Sequence, residues 1–279
     1  MRILHSIPET RAALRAMRAA GRSIGFIPTM GALHEGHLSL VRASRASCDA
    51  TVASIFVNPM QFAPNEDFSK YPRTFEADCA ALDREGVEIL FAPSAEEMYL
   101  PGASTFVDVE DVGARLDGVS RPGHFRGVAT IVAKLFNIIG PDRAFFGQKD
   151  AAQLAVLKKM VRELNFPVEI VACPIVREPD GLAMSSRNRY LSAEERRQAL
   201  VLHRALQEIS RLAKTGVTTA RELIAAANSV LAREALVRVD YCKIVNADTL
   251  EDVADISAGT LAALAAFVGA TRLIDNMVL

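Results

Sequence analysis

Ser23-Ile24-Gly25-Phe26-Ile27-Pro28-Thr29-Met30-Gly31-Ala32-Leu33-His34-Glu35-Gly36-His37-Leu38 is the stretch on which the reading of this chain turns. Its first five residues are a short apolar run of the kind that forms a buried strand. Beyond it, Leu38, Leu40, Val41 and Ser44 recur at helical spacing. Residues 28–37 therefore make a strand-to-helix turn. The turn carries Gly31, Ala32 and Gly36, small residues that let a ligand approach the backbone closely. A helix starting near Gly36 aims free N–H groups and its positive dipole end at that ligand, which suits phosphate. His34 and His37 lie one helical turn apart, so both rings can face one anion. Each can donate an N–H to charge that builds on phosphorus. A metal pair is the competing reading, but Glu35 does not complete an HExxH pattern and no third ligand is evident.

Outward from this turn the elements alternate. Residues 8–21 predict a first helix, with Pro8 in its first turn and Gly21 past its end. The helix after the histidines runs to about residue 48, and residues 51–57 predict a second strand. Residues 58–72, with Pro59, Pro64 and Pro72, read as irregular loop. Residues 73–85 are helical, and 87–91 predict a third strand. This αβαβαβ order argues for a parallel sheet with crossover helices. A possible strand at 104–109, a long helix at 125–139, strands at 143–146 and 168–172, and a helix between them at 150–164 complete the unit. Beyond a turn at 178–181 the composition shifts. A capping box, Ser192-Ala193-Glu194-Glu195, opens a helix to about residue 214. A helix opened by Thr218-Thr219 and running to about residue 234, and strands at 237–245 and 261–268, follow. The expected fold class is α/β, a parallel-sheet domain over residues 1–178 followed by a smaller α+β domain over 179–279.

Composition narrows the partners. The chain has 279 residues, half of them hydrophobic, and a net charge of −1. Nothing in that balance drives it to nucleic acid or an anionic membrane. Cys48, Cys79, Cys173 and Cys242 are isolated in sequence and form no CxxC motif, which suits reduced thiols. The N-terminus lacks a signal-peptide core, and no apolar run reaches the length of a membrane span. A cytoplasmic protein is the expectation.

Three further stretches fall at, or just past, the C-terminal ends of predicted strands, the edge at which open α/β sheets bind ligands. In Asn58-Pro59-Met60-Gln61-Phe62, the Gln61 amide can hold both a carboxylate and a hydroxyl; a solvated loop glutamine is the alternative. In Gly147-Gln148-Lys149-Asp150, Gly147 admits a ligand to the backbone and Lys149 offers a compact charge for a polyphosphate. Asp150 suits a helix N-cap or a ribose hydroxyl. Gln153, one turn on, points back to the same edge. The bland reading is a helix cap with a surface lysine. In Met184-Ser185-Ser186-Arg187, two hydroxyls and a guanidinium in a short mobile loop suit a phosphate clamp, although many such loops are only solvated. The backbone of Val176, just upstream, can meet an adenine edge.

PTMGALHEGHL (28–38), SIFVNPMQF (54–62), RPGHFRGV (121–128), FGQKD with Gln153, and GLAMSSRNRYLS (181–192) together resemble the pantothenate synthetase (pantoate–β-alanine ligase) family over nearly the whole chain. The HxGH and MSSR pair is also similar to the HIGH and KMSKS elements of class I aminoacyl-tRNA synthetases and related nucleotidyltransferases. The resemblance implies a Rossmann-like N-terminal domain, a C-terminal domain closing over the site, Mg²⁺–ATP and a homodimer. It implies that ATP and (R)-pantoate form pantoyl adenylate, which β-alanine then attacks. Carried over, it places ATP on Met30, Gly31, Ala32, Leu33, His34, Glu35, Gly36 and His37, on Gly147, Gln148, Lys149 and Asp150, on Val176, and on Met184, Ser185, Ser186 and Arg187. It gives His37 the role of proton donor, His34 that of phosphate stabiliser, and Gln61 and Gln153 that of substrate holders. No protein side chain is assigned to the metal, and the partners are small molecules, with neither nucleic acid nor membrane among them. Gln148 stands where many members carry glutamate. An HxGH nucleotidyltransferase and a non-catalytic tRNA- or nucleotide-binding module are the competing classes.

Overall fold

Strand β2 (Ile24–Thr29) lies inside a six-stranded sheet and is apolar toward both faces. Ile24 and Phe26 enter one core, and Ile27 enters the core on the opposite side. That is the pattern of a parallel strand covered on both faces. Gly25 carries no side chain because helix α2 (Glu35–Ser47) crosses there: a Cβ at Gly25 would stand 2.1 Å from the Ser44 hydroxyl. In the computed structural model, residues 1–62, 68–69 and 71–279 are described. Pro64, part of the expected loop, lies outside them.

The sheet order is β1-β4-β3-β2-β5-β6, every pair parallel, with β1 Arg2–Leu4, β3 Ala50–Ile55, β4 Ile89–Phe91, β5 Arg143–Gly147 and β6 Glu169–Cys173. Helices α1 (Ile7–Ala19), α3 (Phe75–Arg84), α6 (His124–Ile139) and α7 (Ala151–Glu163) connect and cover it, with short α4 (Ala95–Met98) and α5 (Asp117–Ser120) between. From β2 the chain winds outward through β3 to β4; β5 then returns to the other side of β2 and winds the opposite way to β6. The crevice between the ends of β2 and β5 is thus a topological switch point, where such sheets take their ligands.

The second sheet is antiparallel, β7-β8-β9, with β7 Val237–Asn246, β8 Thr260–Val268 and β9 Thr271–Val278. Helices α8 (Ala193–Ala199), α9 (Val201–Lys214) and α10 (Ala220–Leu231) cover one face, where Ile244, Ala262, Leu264 and Ala266 pack. From the other face, Val245, Leu261 and Ala263 enter the same core as α6 and α7. The two sheets therefore share apolar packing.

The structure departs from the sequence expectations at four points. Strand β1 has only three residues, two of them exposed, too few to show a period. Residues 104–109 form no strand. Their backbone meets the Thr130 hydroxyl at Val107, and the sheets in which the described strands pair do not include them. The helix opened by the Ser192 capping box breaks at Leu200 into α8 and α9. Strand β9 escaped notice because Asp275 and Asn276, residue types disfavoured in strands, interrupt its apolar pattern; both are buried.

Candidate active site

The turn after β2 is held from below by a carboxylate. Gly31 and Ala32 both have positive φ, 80° and 51°. That bend aims the backbone N–H groups of Ala32 and Leu33 at Asp78, each donating to it at 2.9 Å. The Thr74 hydroxyl, at the N-cap of α3, lies 3.2 Å from both Asp78 oxygens. Asp78 is 3% exposed and sits in the first turn of α3, where the helix dipole favours negative charge. Sequence reasoning passed over it, because an acidic residue near a helix start reads as ordinary capping.

His34 is the N-cap of α2, and the two imidazoles complete a reciprocal cap. The Gly36 N–H donates to His34 Nδ1 at 3.2 Å, and the His34 N–H donates to His37 Nδ1 at 3.3 Å. A ring nitrogen that accepts carries no proton, so each neutral ring bears its hydrogen on Nε2. The ring centroids are 4.1 Å apart. Burial first, and then the charge on Lys149, push His34 down to about 4. Burial, then His34 and Lys149, push His37 down to about 3. Both rings are neutral Nε2–H donors at pH 7. Gly36 is required by this packing: a Cβ there would stand 2.9 Å from the His34 ring and 3.8 Å from Met184 Cβ.

A cavity of about 600 Å³ opens between the sheet edge and the second sheet. Lys149, Asp150, Gln153, Ser185 and Arg187 line it, together with Arg121 and His124 from the start of α6. The histidine rings are not on its wall; Lys149, which is, lies close enough for both rings to feel its charge. Lys149 and Asp150 lie on a 3₁₀ turn between β5 and α7. Asp150 occupies the N-cap position of α7, as expected, without a side-chain cap bond; its carboxylate lies 3.6 Å from Lys149 Nζ. Beside Gly147 there is open space.

Gln61 is set by Asn58, which is 1% exposed. The Asn58 amide donates to Gln61 Oε1 and to the Gly127 carbonyl, and its oxygen accepts from the Tyr99 hydroxyl. Gly127 must be glycine, since a Cβ would stand 2.3 Å from the Met60 carbonyl oxygen. Gln61 Nε2 donates to Met30 Sδ, and the Gln61 carbonyl meets Arg121 and the His124 ring. Gln153 lies on the cavity wall with Arg121 and His124, the two side chains that meet the Gln61 backbone carbonyl.

The Met184–Arg187 stretch is braced. Val176 and Met184 are joined by a backbone bond from the Met184 N–H to the Val176 carbonyl. Ser186–Tyr190 forms a 3₁₀ turn, pinned by the Asn188 amide donating to Glu178 and to the Ala183 carbonyl. Two other expected contacts point elsewhere. The Glu35 carboxylate pairs with Arg42 on the exposed side of α2, and the Gln148 amide donates to Asn276 on β9.

With this geometry in view, the sequence model described as Pantoate-beta-alanine ligase matches residues 2–278. The chain belongs to the pantoate–β-alanine ligase family. A relative named pantothenate synthetase from Acidobacterium capsulatum is 63% identical, with all of this chain and 97% of the relative covered. The crystal structure of pantothenate synthetase from Thermus thermophilus matches with a TM-score of 0.95 at 48% identity, covering 99% of each chain. A pantoate–β-alanine ligase from Francisella tularensis, described as complexed with "Beta-gamma ATP" and β-alanine, matches at TM-score 0.82 and 32% identity, covering 100% of this chain and 97% of that one. The expected Rossmann-like parallel sheet with a smaller second sheet is the fold these family members share. Among the described residues, no helix is long and apolar enough to cross a membrane.

Proposed function

We propose that this chain is an ATP-dependent ligase that joins (R)-pantoate to β-alanine through pantoyl adenylate. The observation that carries the reading is the pair of neutral Nε2–H donors beside Lys149 at the β2/β5 switch point. The nucleotide and β-alanine named with the Francisella structure support it.

The pantoate carboxylate attacks the α-phosphorus and pyrophosphate leaves. Charge then builds on phosphate oxygens that His34, His37 and Lys149 face, so positioning and charge stabilisation supply the rate. Gln61 and Gln153 hold pantoate by its carboxylate and hydroxyls. The β-alanine amine, once neutral, attacks the acyl carbon and AMP leaves. Ser185, Ser186 and Arg187 close over the phosphates and help keep water from the adenylate. Mg²⁺ binds mainly through substrate phosphates and water, with one or two carboxylates. The oxygen donors of Asp150, on the cavity wall beside Lys149, fit that demand, and the ion would neutralise phosphate charge.

AMP release should require both pantoate and β-alanine, with pyrophosphate exchange requiring pantoate alone. AMP release that depends on neither would sink the ligase reading.

We place the division between the two domains at residues 178/179, where the first sheet has ended and the Arg177–Ala183 hairpin begins. The core shared by the two sheets favours local closure of residues 184–187 over a wide swing of the second domain. We also propose a cytoplasmic homodimer. Leu100 and Val119 are large apolar residues 73% and 71% exposed, and a second copy would cover them. Sedimentation at micromolar concentration should give twice the chain mass; a monomer would remove the proposal.

A further inference from the structure

Strand β9 reaches out of the second sheet and holds the turn that carries Lys149. Asn276 is 3% exposed. Its Nδ2 donates to the Gln148 carbonyl and to the Lys149 carbonyl, both at 2.9 Å. Its Oδ1 accepts from Gln148 Nε2 at 3.1 Å. That third bond fixes which way the amide faces: with Oδ1 engaged by Gln148, both hydrogens of Nδ2 point at the turn. The neighbouring Asp275 is equally buried and pairs with Arg177 through two bonds, at 2.7 and 2.9 Å. Arg177 also donates to the Gly181 carbonyl, so the same strand fixes the hairpin that leads to Met184.

A 3₁₀ turn of three residues has few backbone bonds of its own, and its carbonyls need outside donors. Here those donors come from one side chain 127 residues away in sequence. We propose that Asn276, oriented by Gln148, is a positioning residue for Lys149: it sets the backbone from which the lysine reaches the nucleotide phosphates. Gln148 then serves the site through Asn276, with no direct contact to ATP needed from its side chain. The inference rests on the reading of Lys149 as a phosphate-binding group.

The test is a double-mutant cycle read in ATP affinity, measured by calorimetry on the full chain without pantoate or β-alanine. Asn276→Ala should weaken ATP binding about tenfold, from two half-buried carbonyls losing their donor and the turn shifting. In the Lys149→Ala background the same substitution should change affinity less than about twofold, since the group through which it acts is gone. Asn276→Asp keeps the volume and removes both donors, so it should match or exceed the alanine defect. Gln148→Met leaves β9 untouched and should give a smaller loss, about threefold, that also vanishes in the Lys149→Ala background. Equal losses in both backgrounds would overturn the proposal and leave Asn276 a purely structural residue. So would wild-type affinity in Asn276→Asp. A wild-type chain that binds ATP but makes no pantothenate overturns the substrate reading alone, with the cycle still readable; one that binds no ATP overturns both.

Discussion

Replacing His37 with alanine should slow pantoyl-adenylate formation by about two to three orders of magnitude while changing ATP affinity only a few-fold. The split follows from the state of the ring. Its Nδ1 accepts from the His34 N–H, its proton sits on Nε2, and burial with His34 and Lys149 nearby holds it down to about 3. A neutral donor adds little to the binding of an already charged ground state and more as charge develops on the phosphate oxygens. Single-turnover adenylate formation measures this directly, and an unchanged rate would refute the role. His37→Gln, which keeps an N–H donor, should recover part of the loss.

The same neutrality has a thermodynamic consequence of definite sign. The folded values of about 4 and about 3 lie below the usual 6.5. Between those limits the unfolded chain takes protons that the folded rings refuse, so stability falls as pH drops from about 6.5 to about 3. The His37→Gln variant should show a flatter acid limb in thermal unfolding. A limb as steep as that of the parent would mean that other groups carry it.

Asp78→Ala should cost both stability and activity, about 2–5 kcal/mol in unfolding free energy and at least tenfold in adenylate formation. The buried carboxylate accepts from the Ala32 and Leu33 N–H groups, and no cation pairs with it in the described ion pairs. Its removal leaves two donors without a partner beneath a turn whose Gly31 and Ala32 already sit at positive φ. The turn would relax and carry the N-cap His34 with it. Asp78→Asn keeps one acceptor and should fall between. Full activity in a folded Asp78→Ala protein would show that the histidines are placed by α2 alone. Denaturant unfolding paired with pyrophosphate exchange separates the two effects.

How legible this was differs from residue to residue. His34, His37, Lys149, Gln153, Ser185 and Arg187 could be named as candidates from sequence, the first four because they follow the ends of β2 and β5 within a few residues. The parallel sheet was readable because strands buried on both faces are near-continuous apolar runs between helical periods. Asp78, Asn58 and Asn276 were not. Each is a common polar type whose role lies in the backbone groups it meets, 45, 69 and 127 residues away in sequence. Asp150 does stand at the N-cap position of α7 as its type suggests, but its carboxylate lies toward the neighbouring Lys149 and makes no cap bond.

By itself the sequence determined the alternation of strand and helix, and with it a parallel sheet whose C-terminal edge collects the glycine–histidine, GQKD and MSSR stretches. Those are local properties, set by side-chain period and by turn residues. Tertiary structure alone decided the order of the strands, and so that β2 and β5 lie together at the switch point. It also decided the proton positions on the two histidines and the hold of β9 on the Lys149 turn. These depend on which buried donors and acceptors meet after folding. A buried polar group must find a partner wherever the packed chain offers one, and spacing along the sequence carries no record of where that is.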